Sequence, residues 1–435
     1  MNRRQFSMLS TLGLASAALP GPVNLARTRF APFSAAADEA VPGRGAWFIP
    51  ARYGRFIHFG LYALLGRGEW QMYLEQIPPD QYAKLKDRFN PSEFNAREWV
   101  DLARKAGQRY ITITSKHHEG FAMFNTKLSD FSIMHTPFGR DLCGELAEEC
   151  HRQGMVISFY FSLMDWHSPL YRPSLKHGTP VAQAFIDFMH GQVRELCTNY
   201  GKLGALWFDG GWDHTPEQWQ SEKLIAMIRQ LQPDALINNR TGLPADFSTP
   251  EEAIGEINKP GRLWENCNTT NDAWGYDAKD QRFKTPREIL HLLVKAVAGG
   301  GNLLLNVGPL PTGKIDPVST ANLDAVGEWL EKNGESVYGA TSFRQIYYDN
   351  VYTTQKGDKV YVHIFDWKPG AGCDLWQLNM KNAKRAYFLE SGEPVKLGHS
   401  HGVGVRLTVR NANPKPSPDT VVVFEGIEPL AAPAS

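Results

Sequence analysis

The sequence predicts an α/β protein, a (β/α)8-like barrel of the TIM type followed by an all-β sandwich domain. Between about residue 55 and residue 335, short apolar runs alternate with amphipathic segments of helical period, a pattern that predicts βαβ units and a parallel sheet. After about Gly339 the helical period stops, and β-rich runs separated by turn residues follow. We therefore expect a barrel over residues 38–340 and a sandwich over residues 341–435, preceded by a leader over residues 1–37.

Seven runs in the first region have the length and apolar character of buried strands. They are Arg55–Gly60, Tyr110–Thr114, Met155–Phe161, Ala205–Asp209, Ala235–Asn238, Arg262–Trp264 and Asn302–Val307. Helices are predicted between them, for example where Trp99, Leu102, Ala103 and Ala106 recur at i, i+3, i+4 and i+7. Seven such strands suit an eight-stranded barrel in which one strand lacks a clear signature.

An open, doubly wound sheet is the alternative for this region. It is disfavoured because no GxGxxG motif follows the first strand. The run Gly299–Gly301 precedes a strand, so it is typical of a helix end and a turn rather than a phosphate loop. Beyond the barrel, Lys359–Phe365, Gly404–Val409 and Thr420–Ile427 predict the strands of the sandwich.

The first residues have the features of an export signal. Arg3 and Arg4 precede Phe6, and the weakly apolar stretch from Met8 to Leu19 is too short to span a bilayer. The arginine pair resembles a twin-arginine signal, which a receptor reads as an address. We predict an exported, periplasmic protein without a membrane span.

The composition favours a neutral ligand. Forty-six basic and 46 acidic residues give a formal net charge of zero, and no block of like charges predicts a nucleic-acid partner. Twelve tryptophans could supply faces on which sugars stack. The five cysteines form no CxxC or Cys/His cluster, so we expect free thiols and no zinc site.

Polar residues occur where the predicted strands end. In a barrel, the carboxyl ends of the strands face the active site, so these residues are the candidates for chemistry. The candidates are His58, His117, His118, Glu119, Tyr160, Asp165, Trp166, His167, Trp207, Asp209, Asn239, Arg240 and Glu265.

A metal site is disfavoured although His58, His117 and His118 could supply three imidazoles. His117 and His118 are neighbours in an extended segment and point in opposite directions, and no HxH or HExxH spacing is present. No GxSxG elbow indicates a nucleophilic serine. We predict no metal or organic cofactor, and a metal-dependent barrel hydrolase remains an alternative.

The carboxylates fit glycoside hydrolysis, which needs one ionised carboxylate and one protonated carboxyl group. Asp209 suits the nucleophile, and we expect Gly210 and Gly211 behind it to clear room for a sugar ring. The acid must come from a later loop. Glu251 is one candidate and Glu265 is the other.

Eight motifs between Trp47 and Gly313 carry a resemblance to a known family. In order they are ARYGRFIHFGLYAL, GEWQMY, KHHEGFAMFNT, FYFSLMDWH, LWFDGGW, NNR, WENCNTTNDAWGY and GGNLLLNVGP. The sequence resembles the α-L-fucosidases of glycoside hydrolase family 29. The resemblance implies a cofactor-free, retaining exo-α-L-fucosidase that removes terminal α-L-fucose from an oligosaccharide or glycoconjugate. A retaining glycosidase for another sugar on the same barrel is the alternative.

The resemblance also implies roles for individual residues. Asp209 matches the nucleophile, Glu251 matches the acid/base, and Trp274 matches an aromatic that lines the pocket around the C5 methyl group. Residues matching those that hold the fucose hydroxyls are His58, Glu69, Trp70, His117, His118, Tyr160, Trp207 and Arg240. Glu265 is kept as a candidate for substrate binding or for the acid. Linkage and oligomeric state are left open.

Overall fold

The computed structural model describes residues 43–176, 179–253, 262–343, 350–367, 373–375, 383–395, 397–399, 405–407 and 417–426. The leader predicted over residues 1–37 lies outside the described residues, so its export function stays a prediction.

Eight parallel strands form the barrel. They are β1 (Tyr53–Ile57), β2 (Tyr110–Lys116), β3 (Val156–Ser162), β4 (Ala205–Asp209), β5 (Leu236–Ile237), β6 (Phe247–Ser248), β7 (Leu263–Thr269) and β8 (Asn302–Val307). Their hydrogen-bonded order is β5-β4-β3-β2-β1-β8-β7-β6, so the first strand pairs with the last. A single parallel bridge between Asn238 and Phe247 joins the two ends of this order and closes the circle. The predicted barrel is confirmed.

One strand was not predicted and another is much longer than predicted, while β1, β2, β3 and β5 are shifted by one to three residues at their ends. The eighth strand is β6, whose two residues lie in a segment without an apolar run. The prediction for β7 ended at Trp264, whereas the strand continues to Thr269. Its sequence LWENCNT is polar because the side chains of Glu265, Asn266 and Asn268 are buried by the protein itself.

In the described residues, ten α-helices accompany the strands. They are α1 (Phe48–Ala51), α2 (Gln71–Leu74), α3 (Pro79–Ala83), α4 (Ala96–Lys105), α5 (Leu142–Gln153), α6 (Gln183–Asn199), α7 (Pro216–Trp219), α8 (Ser221–Leu231), α9 (Pro286–Ala298) and α10 (Pro317–Asn333). Side-chain caps start several of them: Asn95 accepts from Glu98 N at α4, and Thr285 and Glu288 form a capping box at α9. The predicted apolar face of α4 is confirmed, with Trp99 and Ala103 buried.

The C-terminal region is all-β, as predicted. Its strands are β9 (Thr341–Ser342), β10 (Val351–Lys356), β11 (Lys359–Phe365), β12 (Cys373–Leu375), β13 (Arg385–Phe388), β14 (Leu397–His399), β15 (Val405–Leu407) and β16 (Asp419–Glu425). They form a five-stranded sheet, β13-β16-β11-β10-β9, and a three-stranded sheet, β12-β15-β14, and the pairing is antiparallel throughout.

The central strands β11 and β16 of the five-stranded sheet are buried on both faces. In β11, Val360, Val362 and Ile364 belong to a separate apolar cluster, whereas the alternate residues Tyr361 and Phe365 join the main core of the barrel. This alternation follows from the two-residue period of a strand. The sheet is therefore packed directly on the barrel.

Buried polar contacts accompany this packing. Trp329 of α10 donates from Nε1 to the Asp419 carbonyl at 3.1 Å. His363 Nδ1 lies 2.7 Å from Asp419 Oδ2, and both side chains are fully buried. The first contact joins β16 to α10, and the second joins β16 to β11.

Cys143, Cys150, Cys197 and Cys267 are buried free thiols, as predicted. Over the residues that the structure describes, no helix combines the length and apolarity needed to cross a membrane.

Candidate active site

Asp209 is the last residue of β4 and is buried. Its Oδ2 accepts a hydrogen bond from the Tyr160 hydroxyl at 3.0 Å, and its Oδ1 accepts one from Arg240 Nη1 at 2.9 Å. His118 Nε2 lies 3.6 Å from Oδ2. The carboxylate is thus fixed at the carboxyl end of the barrel by groups from β3, the β2 loop and the β5 loop.

Arg240 connects the two candidate carboxylates. While Nη1 donates to Asp209, Nη2 donates to Glu251 Oε2 at 3.2 Å. The guanidinium is held from three further directions, by Thr249 Oγ1 at 2.8 Å, by the Thr249 carbonyl at 3.0 Å and by the ring face of Trp207 at 4.6 Å. Burial alone would lower the pKa of Arg240, but the neighbouring negative groups, Asp209 foremost, raise it, so the fork stays charged.

Glu251 follows β6 and forms a parallel bridge with Cys267 of β7. The next amide, of Glu252, donates to the Cys267 carbonyl at 3.0 Å, and Cys267 N donates to the Pro250 carbonyl at 3.2 Å. The Glu251 side chain is 24% exposed, against 4% for Asp209. Backbone contacts therefore hold Glu251 in place, and its side chain is the more exposed of the two carboxylates.

Glu265 lies deeper in the barrel than Asp209. It is 2% exposed and pairs in register with Asn302, the first residue of β8, whereas Asp209 ends its strand. The Tyr110 hydroxyl donates to Oε2, and Trp207 Nε1 donates to Oε1 at 3.1 Å. Burial raises the pKa of Glu265 to about 7, and the two hydrogen bonds lower it only in part. Glu265 is thus an internal acid that supports the Trp207 ring from below.

His58 and Trp274 form one wall of the site. Asn306 donates from Nδ2 to the Trp274 carbonyl at 2.7 Å, so its Oδ1 accepts from His58 Nδ1 at 2.7 Å. The His58 and Trp274 ring centroids are 5.1 Å apart. Asn306, in β8, sets the orientation of both residues. Its position one residue before the end of β8 could have indicated it, although it was not among the predicted site residues.

His117 and His118 lie beside each other at the end of β2, with ring centroids 4.2 Å apart, so the expectation that they point in opposite directions is wrong. His117 stacks on Tyr160 at 5.6 Å. The Ser162 hydroxyl donates to the Met164 carbonyl and therefore accepts from His118 Nδ1 at 2.6 Å. This leaves Nε2 as the nitrogen that faces Asp209.

Glu69 and Trp70 come from the loop after β1. Glu69 Oε2 accepts from Gly275 N at 2.9 Å, which ties the loop to the backbone beside Trp274. The Trp70 ring packs against His118 at 5.3 Å and against Trp166 at 5.1 Å. The predicted site residues therefore form one connected group at the carboxyl end of the barrel, and Glu265 is joined to it from within the barrel through Trp207 Nε1.

The two glycines after Asp209 have a role other than the one expected. Gly210 is in the left-handed region, with φ +73°, and lets the chain turn sharply after β4. A Cβ on Gly211 would lie 2.0 Å from the Arg240 carbonyl oxygen. Gly211 is needed for close approach to the Arg240 backbone rather than for clearing space around a sugar.

Two further tryptophans belong to this neighbourhood: Trp166, a strand-end candidate to which no role was assigned, and Trp212, which was missed. Trp212 is 50% exposed, and its ring centroid is 5.8 Å from that of His118. Trp166, which is buried, packs against both Trp70 and His118. Both residues follow strand ends in sequence, and only that position indicates them.

The histidines do not form a metal centre with the acids. Among the described residues, no three His, Cys, Asp or Glu side chains are grouped so that they could hold a metal ion. The site is instead a pair of carboxylates linked by one arginine and surrounded by imidazole, phenol and indole groups. On a (β/α)8 barrel, this arrangement is that of a glycoside hydrolase.

The chain belongs to the alpha-L-fucosidase family, whose model matches residues 27–335. It is 30% identical over 353 residues to the tissue alpha-L-fucosidase of Homo sapiens, covering 74% of this chain and 76% of the relative.

Solved structures of this family have the same fold. The alpha-L-fucosidase isoenzyme 1 from Paenibacillus thiaminolyticus superimposes with a TM-score of 0.82 at 36% identity, covering 88% of this chain and 98% of that one. An alpha-L-fucosidase from Bacteroides thetaiotaomicron, solved as a trapped covalent intermediate with 2-fluoro-fucosyl fluoride, gives a TM-score of 0.79 at 29% identity, covering 87% and 94%. The resemblance found in the sequence motifs is confirmed.

Proposed function

We propose that the chain is a retaining exo-α-L-fucosidase that removes terminal α-L-fucose from glycans, with Asp209 as nucleophile and Glu251 as acid/base. One observation carries the assignment of the pair: the Arg240 fork contacts both carboxylates at once, at 2.9 and 3.2 Å. A related fucosidase captured as a covalent intermediate supports the double displacement.

In the first step, an Asp209 oxygen attacks the anomeric carbon as the bond to the leaving oxygen breaks. Glu251 transfers its proton to that oxygen, which leaves as an alcohol, and a fucosyl ester of Asp209 remains. In the second step, water attacks the same carbon, Glu251 takes up the water proton, and the ester bond breaks. Two inversions give retention, and Asp209 and Glu251 return to their starting protonation states.

The surroundings of Asp209 suit a neutral deoxy sugar. His58, His117, Tyr160 and Arg240 place N–H and O–H groups around the carboxylate, and these can bind ring hydroxyls. Trp274 presents an apolar ring beside His58, where the C5 methyl group of fucose would lie. A site built for hydroxyls rejects an analogue that lacks one, because its buried polar groups would then be unpaired.

Azide rescue tests the two roles. Asp209→Gly should lower kcat on an aryl α-L-fucoside by on the order of 10⁴-fold, and azide should restore turnover with β-fucosyl azide as product. Glu251→Ala should lose about 10²–10⁴-fold, and azide should give the α-azide, because it attacks the intermediate from the opposite face. The products are distinguished by NMR.

Glu265→Gln is the matched control, because it changes the second candidate acid while keeping its shape. We expect no azide product from it. Near-normal turnover by Asp209→Gly would refute the mechanism. Formation of α-azide by the Glu265 variant instead of Glu251→Ala would reassign the acid/base.

We also propose that the protein is exported to the periplasm by the twin-arginine route, which the pair Arg3-Arg4 supports. Replacing both by lysine should leave the protein in the cytoplasmic fraction, whereas the unchanged leader should deliver activity to the periplasmic fraction. Equal distribution of the two forms would contradict this proposal.

A further inference from the structure

Trp207 contacts two groups that hold the nucleophile. Its ring centroid is 4.6 Å from Arg240 Cζ, and the ring stacks on that of Tyr160 at 5.5 Å, where β3 and β4 pair in register. Arg240 and Tyr160 each donate a hydrogen bond to Asp209, one to each carboxylate oxygen. A single indole ring therefore supports two hydrogen-bond donors of Asp209.

The N–H group of Trp207 is used inside the protein. Nε1 donates to Glu265 Oε1 at 3.1 Å, and an indole has no other hydrogen-bonding group. While this contact is made, Trp207 cannot hold a fucose hydroxyl through its N–H, which is the role that the family resemblance implies for it. Its contribution to the site is the ring face, and Glu265 holds the edge of that ring.

Glu265 is itself fixed from the interior of the barrel. The Tyr110 hydroxyl donates to its other oxygen, Oε2. The Tyr110 ring packs on the backbone of Gly54, where a Cβ would lie 2.3 Å from a ring carbon, and its centroid is 5.0 Å from that of Trp47. Glu265 thus links the close aromatic packing inside the barrel to the indole ring at the site.

We propose that Glu265 is a positioning residue for the reaction and that it acts through Trp207. By holding the indole ring, it sets the positions of Arg240 and Tyr160, and these in turn orient Asp209. The same arginine contacts the acid/base, so the spacing of the two carboxylates depends on this link as well. The inference rests on the proposed function, because it gives Glu265 a part in the double displacement without a proton to transfer.

The test measures kcat/KM on an aryl α-L-fucoside over about pH 4 to 9. Glu265→Leu removes the acceptor of the indole N–H and should lower kcat/KM by about ten- to hundredfold, the range expected when a buried donor loses its partner.

Glu265→Gln is the matched control. Burial raises the pKa of Glu265 to about 7, so below that pH the carboxyl group is mainly neutral, as the amide is. The amide also keeps the shape of the group and an acceptor for Trp207 Nε1. Below pH 7, this variant should therefore stay within about threefold of the unchanged enzyme.

The position of the pH limbs separates positioning from folding. A carboxylate that loses a close guanidinium holds its proton more tightly, so both limbs of kcat/KM should move to higher pH in Glu265→Leu, by about 0.5–1 pH unit. A variant that is merely less folded would lose activity at every pH without moving the limbs. Trp207→Phe keeps a ring against Arg240 but lacks the N–H, and it should shift the limbs in the same direction.

A double-mutant cycle tests the route through the indole. In the Trp207→Phe background, Glu265→Leu should cost no more than about threefold in kcat/KM, because the contact that it breaks is already absent. Losses that multiply would show that Glu265 acts by another route and would overturn the inference.

The remaining outcomes are distinguishable. Near-normal kcat/KM for Glu265→Leu, or unmoved limbs for Trp207→Phe, would overturn the inference while leaving the fucosidase in place. If Glu265→Leu does not fold, the Trp207→Phe profile decides alone. Formation of α-fucosyl azide by Glu265→Gln would also overturn the inference, since Glu265 would then transfer the proton. If the unchanged enzyme does not cleave the fucoside, the proposed function itself fails.

Discussion

Arg240 is the residue on which the site depends most directly. Its guanidinium contacts Asp209, Glu251 and Thr249 and lies over the Trp207 ring. A lysine could not make these contacts together, because a compact ammonium lacks the planar fork. The contrast with Glu265 is instructive, since that acid also sits close to Trp207 yet uses both oxygens for internal hydrogen bonds.

Glu265 should make the stability of the protein depend on pH. Its folded-state pKa is raised from 4.5 to about 7, so between these values the folded protein keeps a proton that the unfolded chain releases. The stabilisation is therefore full below about pH 4.5 and is lost as the pH rises through 7, by on the order of 3 kcal/mol. Glu265→Gln should remove this part of the slope when the free energy of unfolding is measured from pH 4.5 to 8.

Glu119 provides the comparison for that measurement. Burial raises its pKa to about 8, and its oxygens accept from Leu61 N and from the Tyr82 hydroxyl. Glu119→Gln should therefore remove a contribution to the free energy of unfolding that persists up to about pH 8, whereas Glu265→Gln should keep that contribution. Parallel pH profiles for the unchanged protein and Glu265→Gln would show that the Glu265 pKa is not raised.

At the scale of elements, strands whose buried side chains are apolar were predicted from the sequence. Strands whose buried side chains are polar were predicted too short or not at all. β4 and β8 have apolar interiors and were found with their bounds. β7 was cut short because its Glu265, Asn266 and Asn268 are buried by specific partners, which no periodicity reveals. β6 has two residues, too few for any period, and only closure of the barrel requires it.

Prediction from the sequence was limited in a similar way for the candidate site. Strand-end position alone pointed to His58, Tyr160 and Asp209, because a barrel gathers such ends at one face. Glu69 and Trp70 lie in a loop after β1, and only the family resemblance indicated them. The choice between Glu251 and Glu265 depended on depth within the barrel, which requires the register of β7 and β8.

At the scale of the whole molecule, the barrel and the five-stranded sheet share one core. Tyr361, Phe365 and Val423 of the sheet belong to the same apolar cluster as the barrel helices. Trp329 of α10 reaches the Asp419 backbone across this boundary, and within the sheet His363 of β11 contacts the Asp419 side chain. The two parts should consequently unfold together.

Asp419→Ala tests this coupling. It leaves the fully buried His363 without its acceptor, which should cost about 1–3 kcal/mol in the free energy of unfolding. Calorimetry should still show one transition, at a lower temperature, because the apolar contacts remain. Asp419→Asn keeps an acceptor and should cost less, and a split into two transitions would contradict the shared core.

The closure of the barrel has a consequence for how the enzyme can change. Asp209 and Glu251 lie on opposite sides of the join between β5 and β6. At this join a single β-bridge takes the place of the continuous hydrogen-bonded pairing seen between other strands. Their spacing therefore depends on the Arg240 side chain more than on backbone pairing. Insertions or deletions in the segment that carries Glu251 should cost the barrel little, which makes this join the place where fucosidases with a rebuilt Glu251 segment can arise or be engineered.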